Sequence, residues 1–552
     1  MTKANPIMVE PAPCERPAAA AGHEWWRGAT IYQIYPRSFA DSNGDGIGDL
    51  PGITAHLDHV ARLGVDAVWI SPFFTSPMAD YGYDVADYRD VDPTFGTLAD
   101  FDALIARAHD LGLKVTIDLV FAHTSDRHAW FGDSRSGRKA AHADWYVWAD
   151  AKPDGTPPNN WQSVFGGPAW TWDARRRQYY YHQFLKEQPQ LNLHLPAVQD
   201  ALLDVVRFWL DRGVDGFRFD ALNHGMFDPA LTDNPPATDN RQRTRPYDFQ
   251  LKTFSQNHPD VVGFVERIRA VCDGYGAVFS VAEVGGDGAI PLMKAYTAGN
   301  HRLSSAYGFD FLYAPKLSAQ LVASVMRDWP GTPDADGRDE GWPSWAFENH
   351  DAPRCLSRWA DAAARPAFGR MTITLLTALR GNVFLYQGQE LGLLQDDIPF
   401  HLLKDPEAIA NWPLTLSRDG VRTPMPWDAG APHGGFTSGD PWLPLSAGNI
   451  ARAVNVQEGD PAALLAHTRA MIALRRQHPA LRHGTIEAVE ARGDVLTFTR
   501  RADGETIACA FNIGASLQLH KASPGDVIVA INGADAAHLP AWGAVLVRES
   551  AA

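Results

Sequence analysis

One local pattern occurs three times in the chain: an amphipathic helix ends at a glycine, and a short apolar strand follows. The three copies span residues 55–71, 102–120 and 201–220 and contain Gly64, Gly112 and Gly213. In each copy the apolar residues before the glycine recur at helical spacing, and glycine can adopt the positive φ at which helices commonly end. The runs that follow have the length and apolar character of buried strands. Regular alternation of helix and strand predicts a parallel sheet covered by helices.

Five further segments also read as strands. They are residues 29–35, 277–283, 304–309, 342–351 and 381–390. With the three repeats they make about eight strands, which favours a closed (β/α)8 barrel over an open sheet. We therefore predict an α/β protein with a TIM-barrel fold, in which the carboxyl ends of the strands form one functional face.

Two regions interrupt this pattern. Residues 124–192 are rich in Trp, Gly, Pro and Asn and follow the third strand, so we predict a lobe inserted in a βα loop on the functional face. Its tryptophans either stack on ligand rings or form the core of the lobe, and the core is the simpler explanation because large rings dominate small cores. Towards the C-terminus, alternating apolar residues indicate an antiparallel β-domain.

At 552 residues the chain is too long for one compact core. The predicted parts are a mobile tail (1–23), the barrel (24–123 and 193–476), the inserted lobe (124–192) and a C-terminal β-sandwich (477–552). The polar, proline-bearing segment 233–246 follows the fourth strand and is predicted to be a long loop on the functional face.

Composition excludes several classes of function. The net charge of −16 argues against binding of nucleic acid or anionic membranes, both of which need basic patches. The four cysteines lack CxxC spacing, so they predict neither a zinc site nor a disulfide framework. No apolar run reaches the ~18 residues of a membrane span, and the first 23 residues lack an apolar signal core. We expect a cytoplasmic monomer or homodimer that acts on a small molecule.

Acidic residues recur where predicted strands end. Asp118, Asp220, Glu283 and Asp351 all occupy such positions, and arginine or histidine lies close to most of them in the sequence. A single strand-end aspartate would most simply cap the next helix, but several converging acids with basic neighbours exceed what capping requires. Three carboxylates without metal-ligand spacing suggest cleavage of a glycosidic bond, in which one attacks, one protonates the leaving oxygen and one stabilises the transition state. Phosphoryl transfer would need a glycine-rich loop or a basic clamp, and the sequence has neither, so we do not expect this reaction.

Eight stretches of the chain resemble, in order, the α-amylase superfamily of glycoside hydrolases (family 13). Within it the resemblance is to the oligo-1,6-glucosidase and α-glucosidase branch. The stretches are IYQIYPRSFADSNGDGIGDLPGI, YGYDVADY, DLVFAHTSD, GFRFDAL, VAEVGG, ENHD, LYQGQELGL and RTPMPW. They fall within roughly residues 24–480, and together they are far more specific than any one alone.

The resemblance implies a role for each matching residue. Asp220 would be the nucleophile, Glu283 the general acid/base and Asp351 the stabiliser of the transition state. Arg218 would keep Asp220 ionised, because an adjacent cation lowers the pKa of a carboxylate and residues i and i+2 of a strand share a face. The pocket for the non-reducing glucose would be formed by Asp80, Tyr83, His123, His350 and Arg422. Phe165 and Phe184 match aromatic positions beside the next sugar site, although burial in the core explains them equally well.

The implied activity is that of an exo-acting α-glucosidase that retains the α-configuration. Capture of the glycosyl-enzyme by an alcohol instead of water would give transglucosylation. The residue after the nucleophile is usually valine in enzymes that prefer α-1,6 bonds and smaller or polar in α-1,4-preferring relatives, so Ala221 implies an α-1,4 preference. The alternatives are a dedicated α-glucosyltransferase, an oligo-1,6-glucosidase, a sucrose or trehalose isomerase, and, from another class, a non-catalytic barrel partner protein.

The loop after the first predicted strand (residues 41–49, the first loop) has the composition of a site for a hard cation. Its oxygen ligands would be Asp41, Asn43, Asp45, the Ile47 carbonyl and Asp49. The resemblance implies a structural Ca²⁺ or Mg²⁺ here and no organic cofactor, whereas the alternative is a loop of Asx turns without metal. The chain departs from the family at Ala122, where a calcium-ligating Asn is usual, and at Gln190, where Asp is usual.

Overall fold

Eight parallel strands close into a barrel in the computed structural model, which describes residues 24–239, 243–286, 288–331, 341–415, 417–521 and 523–550. The strands are β1 (Thr30–Ile34), β2 (Ala67–Ile70), β3 (Lys114–Val120), β4 (Gly216–Asp220), β5 (Phe279–Val284), β6 (Ser305–Gly308), β7 (Pro343–Trp345) and β8 (Asn382–Tyr386). Each strand pairs with its sequence neighbours, and β1 pairs with β8 to close the ring. The predicted (β/α)8 fold is confirmed, while the predicted mobile tail (1–23) lies outside the described residues.

A helix follows each barrel strand. The helices are α1 (Leu50–Arg62), α2 (Leu98–Asp110), α3 (Pro196–Asp211), α4 (Val261–Asp273), α5 (Ala289–Thr297), α6 (Ala319–Arg327), α7 (Arg365–Ala378) and α8 (Leu464–Gln477). The three glycines of the repeated pattern have φ values of 85°, 75° and 97°, as the pattern predicts. Among the described helices, none combines the length and apolar character that a membrane span requires.

The side chains of strand β4 alternate between the apolar core under the outer helices and the axis of the barrel. Phe217 and Phe219 are fully buried in the main apolar core, on the side of the outer helices. Arg218 and Asp220 alternate with them and therefore point to the opposite side of the strand, towards the barrel axis. The register places Arg218 beside Asp118 of β3 and Val281 of β5.

Strand β7 is shorter than the sequence predicts. The predicted strand covers residues 342–351, whereas the observed one is Pro343–Trp345. Beyond it, the Asn349 side chain accepts the backbone N–H groups of Asp351 and Ala352 at 2.9 and 2.7 Å, which turns the chain out of the sheet. Asp351 consequently lies in a loop at the mouth of the barrel rather than on a strand.

Residues 124–192 contain a small α+β lobe. Its described elements are the helix Ala129–Ser136 and an antiparallel sheet of Trp148–Ala149, Gln178–Tyr181 and Trp170–Asp173. Trp161 and Trp170 are buried together with Tyr181 and Phe227, so they serve as core residues. Trp172 is 46% exposed and is the exception among the tryptophans of this lobe.

The C-terminal part of the chain forms an antiparallel sheet, as predicted. Its five strands, in spatial order, are Thr485–Arg492, Val495–Ala502, Glu505–Asn512, Ala544–Glu549 and Gly525–Ile531, and Gln518–Leu519 pairs separately with His538–Leu539. Short elements elsewhere are the strands Phe74–Thr75 and Asp87–Val91 and the helices Cys355–Trp359, Pro406–Ala410, Ala447–Ile450, Val454–Gln457 and Pro479–Arg482.

Two buried arginines, Arg475 of α8 and Arg500 of the C-terminal sheet, bind the end of α7. Arg475 donates to the carbonyls of Thr377 and Leu379 at 2.6 and 3.0 Å, and Arg500 donates to the carbonyl of Ala378 at 2.5 Å. These carbonyls belong to the last turn of α7 and the residue after it, where the helix itself offers no donors and the dipole favours a cation. The two arginines therefore satisfy a buried helix end, and Arg500 also fixes the C-terminal sheet to it.

Candidate active site

Arg218 lies at the centre of the acids at the strand ends. Its Nη1 atom lies 2.9 Å from Asp118 and 2.6 Å from Asp220, and its Nη2 atom lies 2.6 Å from Oε1 of Glu283. The guanidinium also lies 5.1 Å from the ring centre of Trp69. Its side chain is only 1% exposed, and a cation buried to this degree is tolerable only when it is paired. One cation therefore contacts three acidic side chains.

Glu283 retains a proton in this cluster. Burial raises its pKa to about 8, and the nearby charges of Asp220 and Asp351 act in the same direction, whereas Arg218 opposes them. Its Oε2 atom accepts the backbone N–H of Ala221 at 3.1 Å, which fixes the orientation of the carboxyl group. A carboxylic acid whose raised pKa keeps it protonated at neutral pH can act as a general acid.

His350 is oriented by partners on both ring nitrogens. The Gln33 amide nitrogen lies 2.7 Å from Nδ1 and donates to it, so the ring proton is on Nε2. Nε2 lies 3.1 Å from Oδ2 of Asp351 and 2.5 Å from the Tyr83 hydroxyl, which in turn donates to Asp118 at 3.2 Å. Burial lowers the pKa of His350 to about 3, so the imidazole is neutral. With this tautomer the Nε2–H group donates to the Tyr83 hydroxyl oxygen, and Asp351 lies beside the same nitrogen.

Asp351 is held ionised by two arginines. Its Oδ1 atom lies 2.6 Å from Arg422 and 3.2 Å from Arg418, and Arg422 also donates to the His350 carbonyl at 2.8 Å. Burial alone would raise the pKa of Asp351, but His350, Arg422 and Arg418 outweigh it and hold the pKa below its ordinary value. Asp351 therefore carries a negative charge throughout the neutral range.

Arg418 closes the far wall of the cleft. Its guanidinium lies 3.1 Å from Asp80 and 2.8 Å from Asp405 in addition to Asp351, and it lies over the Phe165 ring at 5.0 Å. Burial raises the pKa of Asp80 to about 7, although Arg418 acts in the opposite direction. This wall of alternating charges supplies both hydrogen-bond donors and acceptors for a polyhydroxylated ligand.

The five predicted pocket residues lie close together, but only three of them line the cleft. Asp80, Tyr83 and His123 line the cleft, and Nε2 of His123 lies 2.9 Å from the Tyr83 carbonyl. His350 and Arg422 lie behind Asp351 and act on it rather than forming the lining. Burial lowers the pKa of His123, so this ring is neutral as well.

Two aromatic rings and Ala221 also line the cleft. Phe165 and Phe184 both line the cleft, with ring centres 5.6 Å apart and an edge-on geometry. They are thus cleft residues rather than core residues. Ala221 also lines the cleft and has φ of 41°, in the left-handed region that residues with a Cβ seldom occupy. This conformation aims its N–H at Glu283.

An ion pair joins two segments that line the cleft. Arg245, from the loop after β4, lies 2.8 Å from Glu407, from the loop after β8, and both line the cleft. The predicted long loop 233–246 thus reaches the functional face, apart from residues 240–242, which are outside the described ranges. The cleft encloses about 1330 Å³, which is large enough for a short oligosaccharide.

The first loop contains the predicted metal ligands in a series of Asx turns. Asp41 accepts the backbone N–H groups of Asn43 and Gly44 at 3.0 and 2.8 Å, and Asp45 accepts that of Ile47 at 2.8 Å. Asp49 instead caps α1 through the N–H of Gly52. The donor set is all oxygen and fits a hard cation chemically, but the same oxygens already accept amides. The metal site therefore stays a prediction.

Several residues of the site were not predicted. Arg418, Asp405, Gln188 and Arg245 lie outside the α-helices and strands, and Glu407, the partner of Arg245, lies in the short helix Pro406–Ala410. Gln188 donates to Asp80 at 3.2 Å and so contributes to the far wall. The one sequence feature that pointed to Arg418 is its position four residues before Arg422, in a polar segment that already held a predicted pocket residue.

Comparison with known proteins agrees with this geometry. The family profile described as Alpha amylase, catalytic domain, matches residues 33–484. A probable alpha-glucosidase from Rhizobium meliloti (strain 1021) is 52% identical over 95% of this chain and 97% of its own length. An oligo-1,6-glucosidase from Halalkalibacterium halodurans is 35% identical, over 89% of this chain and 90% of its own. Among solved structures, an alpha-glucosyl transfer enzyme superposes with a TM-score of 0.91 at 48% identity, covering 96% of this chain and 100% of that one.

Proposed function

The chain belongs to the alpha-amylase family of glycoside hydrolases, and we propose that it is an exo-acting, retaining α-glucosidase that releases glucose from the non-reducing end of short α-glucosides. The observation that carries this proposal is the position of Arg218, which lies 2.6 Å from both Asp220 and Glu283. It contacts both side chains at once and so places the proposed nucleophile beside an acid whose pKa is raised by burial to about 8, an arrangement that suits a double-displacement mechanism.

In the first step Asp220 attacks the anomeric carbon, and Glu283 gives its proton to the departing glycosidic oxygen. Asp351 stabilises the positive charge that develops on the sugar ring. In the second step Glu283 takes a proton from water, which attacks the same carbon and releases Asp220. Two inversions leave the α-configuration unchanged.

The far wall supports exo action. Arg418 and Asp80 form an ion pair in the lining of the cleft, and we propose that this pair blocks a sugar chain from extending beyond the terminal glucose. The Arg245–Glu407 bridge narrows the entrance. A closed end accepts a terminal glucose and excludes internal bonds of a polymer. Rapid cleavage within soluble starch would refute this point.

The linkage preference rests on Ala221. Its Cβ lies at the cleft next to the nucleophile, and a small residue there leaves room for α-1,4-linked sugars. Initial rates on maltose and isomaltose test this: maltose should be preferred, and a strong preference for isomaltose would refute it. In Ala221→Val the ratio of the two rates should shift towards isomaltose. The ratio is the right readout because a β-branched residue at φ of 41° is strained and lowers both rates.

Transfer to an acceptor alcohol is proposed as a second activity. The glucosyl-enzyme on Asp220 reacts with whichever hydroxyl Glu283 can deprotonate, and a sugar at the mouth competes with water. The similarity to a solved alpha-glucosyl transfer enzyme favours this candidate. The ratio of oligosaccharide to free glucose at high maltose concentration measures the balance. Glucose alone at every concentration would exclude transfer.

A Ca²⁺ or Mg²⁺ ion in the first loop is also proposed. Asp41, Asn43, Asp45, the Ile47 carbonyl and Asp49 would hold it, and it would pin the loop between β1 and α1. Removal of divalent ions should lower the thermal midpoint, and Ca²⁺ or Mg²⁺ should restore it. If chelation does not change the thermal midpoint, the proposed ion does not stabilise the loop, and the Asx turns alone support it. The cytoplasmic location and the monomeric or dimeric state stay predictions.

A further inference from the structure

Away from the cleft, two histidines and an aspartate converge at the base of the loop that follows β4. His194 lies just before α3, and His258 and Asp260 lie just before α4. One ligating atom of each lies within 4.8 Å of the others, and no second such group of histidine, cysteine or acidic side chains occurs in the described ranges. The proposed glycosidase mechanism makes no use of this group.

The distances match those between ligands of one small cation. Nδ1 of His194 lies 3.9 Å from Oδ2 of Asp260, and Nδ1 of His258 lies 3.7 Å from the same atom. Zinc bonds of about 2.0–2.2 Å place neighbouring ligand atoms roughly 3.5 Å apart in a tetrahedral site. A small rotation of the exposed Asp260 side chain closes this difference.

In both rings Nδ1 is the nitrogen that faces the possible metal position. Nε2 of His194 lies 2.8 Å from the carbonyl oxygen of Phe227, which can only accept, so Nε2 carries a proton and Nδ1 faces Asp260. Nδ1 of His258 accepts the backbone N–H of Asp260 at 3.3 Å, a long bond that a cation can displace. A backbone carbonyl behind a histidine is the usual outer support of a metal ligand.

We propose that His194, His258 and Asp260 bind one Zn²⁺ or a similar divalent transition ion, with water in the remaining positions. Two imidazoles and one carboxylate suit such an ion, whereas Ca²⁺ and Mg²⁺ prefer oxygen ligands. The three side chains are 19%, 23% and 66% exposed, so the site is open to solvent ions and to water as a further ligand.

The site would join the two ends of the loop between β4 and α4. The Phe227 carbonyl, near the start of the loop, supports His194, while His258 and Asp260 lie at its end. The same loop carries Tyr247 and Lys252, which line the cleft. An ion bound here restrains the base of a cleft loop from a position outside the cleft.

Titration of the chelator-treated full-length chain with Zn²⁺, followed by calorimetry, tests the proposal. We expect one bound equivalent whose affinity falls at least tenfold in His194→Gln, His258→Gln and Asp260→Asn. Wild type with Co²⁺ in place of Zn²⁺ should show visible d–d absorption that these variants lack, and Zn²⁺ should raise its thermal midpoint. Glutamine at position 194 can still donate to the Phe227 carbonyl, and Asp260 makes no side-chain capping bond to α4, so the variants keep the local contacts.

His538→Ala is the matched control, because His538 pairs with a single acid, Asp535, at 3.1 Å and belongs to no group of three. It should bind Zn²⁺ like the wild type. Unchanged affinity in all three cluster variants would overturn the proposal and place the ion elsewhere, and absence of Zn²⁺ binding by the wild type would overturn it outright. Circular dichroism identifies any variant that fails to fold, and the remaining variants decide the result.

Discussion

Replacement of Arg418 by methionine tests whether the far wall of the cleft works through charge. The guanidinium contacts Asp351, Asp80 and Asp405 at 3.2, 3.1 and 2.8 Å. Methionine has a comparable length but no charge, so the substitution removes the ion pairs with little loss of packing. Asp351 keeps Arg422, whereas Asp80 and Asp405 lose the cation that they contact.

The contacts that Arg418→Met loses determine how far its stability and its kcat/KM should fall. Removing one partner of a buried ion pair costs about 3–5 kcal/mol, and three partners place this variant near the upper end. For catalysis, loss of one hydrogen bond to a charged group costs about 1.5–3 kcal/mol, which corresponds to a decrease in kcat/KM of about 10- to 150-fold. Arg418 lowers the pKa of Asp80, which burial has raised to about 7. Without it Asp80 is protonated at neutral pH, accepts fewer hydrogen bonds from glucose, and KM rises.

Urea unfolding measures the free energy of unfolding, and initial rates on maltose at pH 7 measure kcat/KM. Arg418→Lys is the matched control, because it keeps the charge but lacks the planar fork that reaches three carboxylates at once. It should lie between the wild type and the methionine variant in both measurements. Wild-type kcat/KM in Arg418→Met would refute the role assigned to the far wall, whatever the change in stability.

Three further predictions follow from contacts in and around the cleft. The alkaline limb of kcat/KM should have a midpoint near pH 8, because Glu283 must be protonated to act and burial raises its pKa to about 8; a midpoint below 6 would contradict its role. Glu407→Gln breaks the 2.8 Å bridge to Arg245 and should increase the rate on maltotetraose relative to maltose severalfold; an unchanged ratio means that the bridge does not limit entry. Arg475→Met leaves buried carbonyls at the end of α7 without donors and should lower the free energy of unfolding by about 3 kcal/mol without changing KM; wild-type stability would show that these bonds are dispensable.

The barrel was predictable because its elements carry periodic patterns. The repeated helix, glycine and strand located β2, β3 and β4, and the glycines have the positive φ that the pattern demands. The end of β7 was not predictable in this way. Apolar residues continue to Phe347, but the strand ends at Trp345 because the Asn349 side chain captures two backbone amides. Such a local hydrogen bond leaves no periodic trace in the sequence.

The residues of the site also divide into those that periodic patterns predict and those that they do not. Arg218, Asp220 and Glu283 lie on strands, so their convergence follows from the topology of a parallel barrel. Arg418 and Glu407 lie on the long loop after β8, whose path depends on tertiary contacts that no spacing rule describes. The group of His194, His258 and Asp260 joins residues more than sixty positions apart in the sequence and could be recognised only once the fold placed them together.

The most direct test of the mechanism is to identify the residue that becomes glycosylated. A fluorinated α-glucosyl fluoride slows the second step more than the first, so the covalent intermediate accumulates and its peptide can be sequenced by mass spectrometry. The mechanism predicts one added sugar per chain, attached to Asp220 at the end of β4. A sugar on Glu283 or Asp351, or turnover without any covalent intermediate, would contradict it.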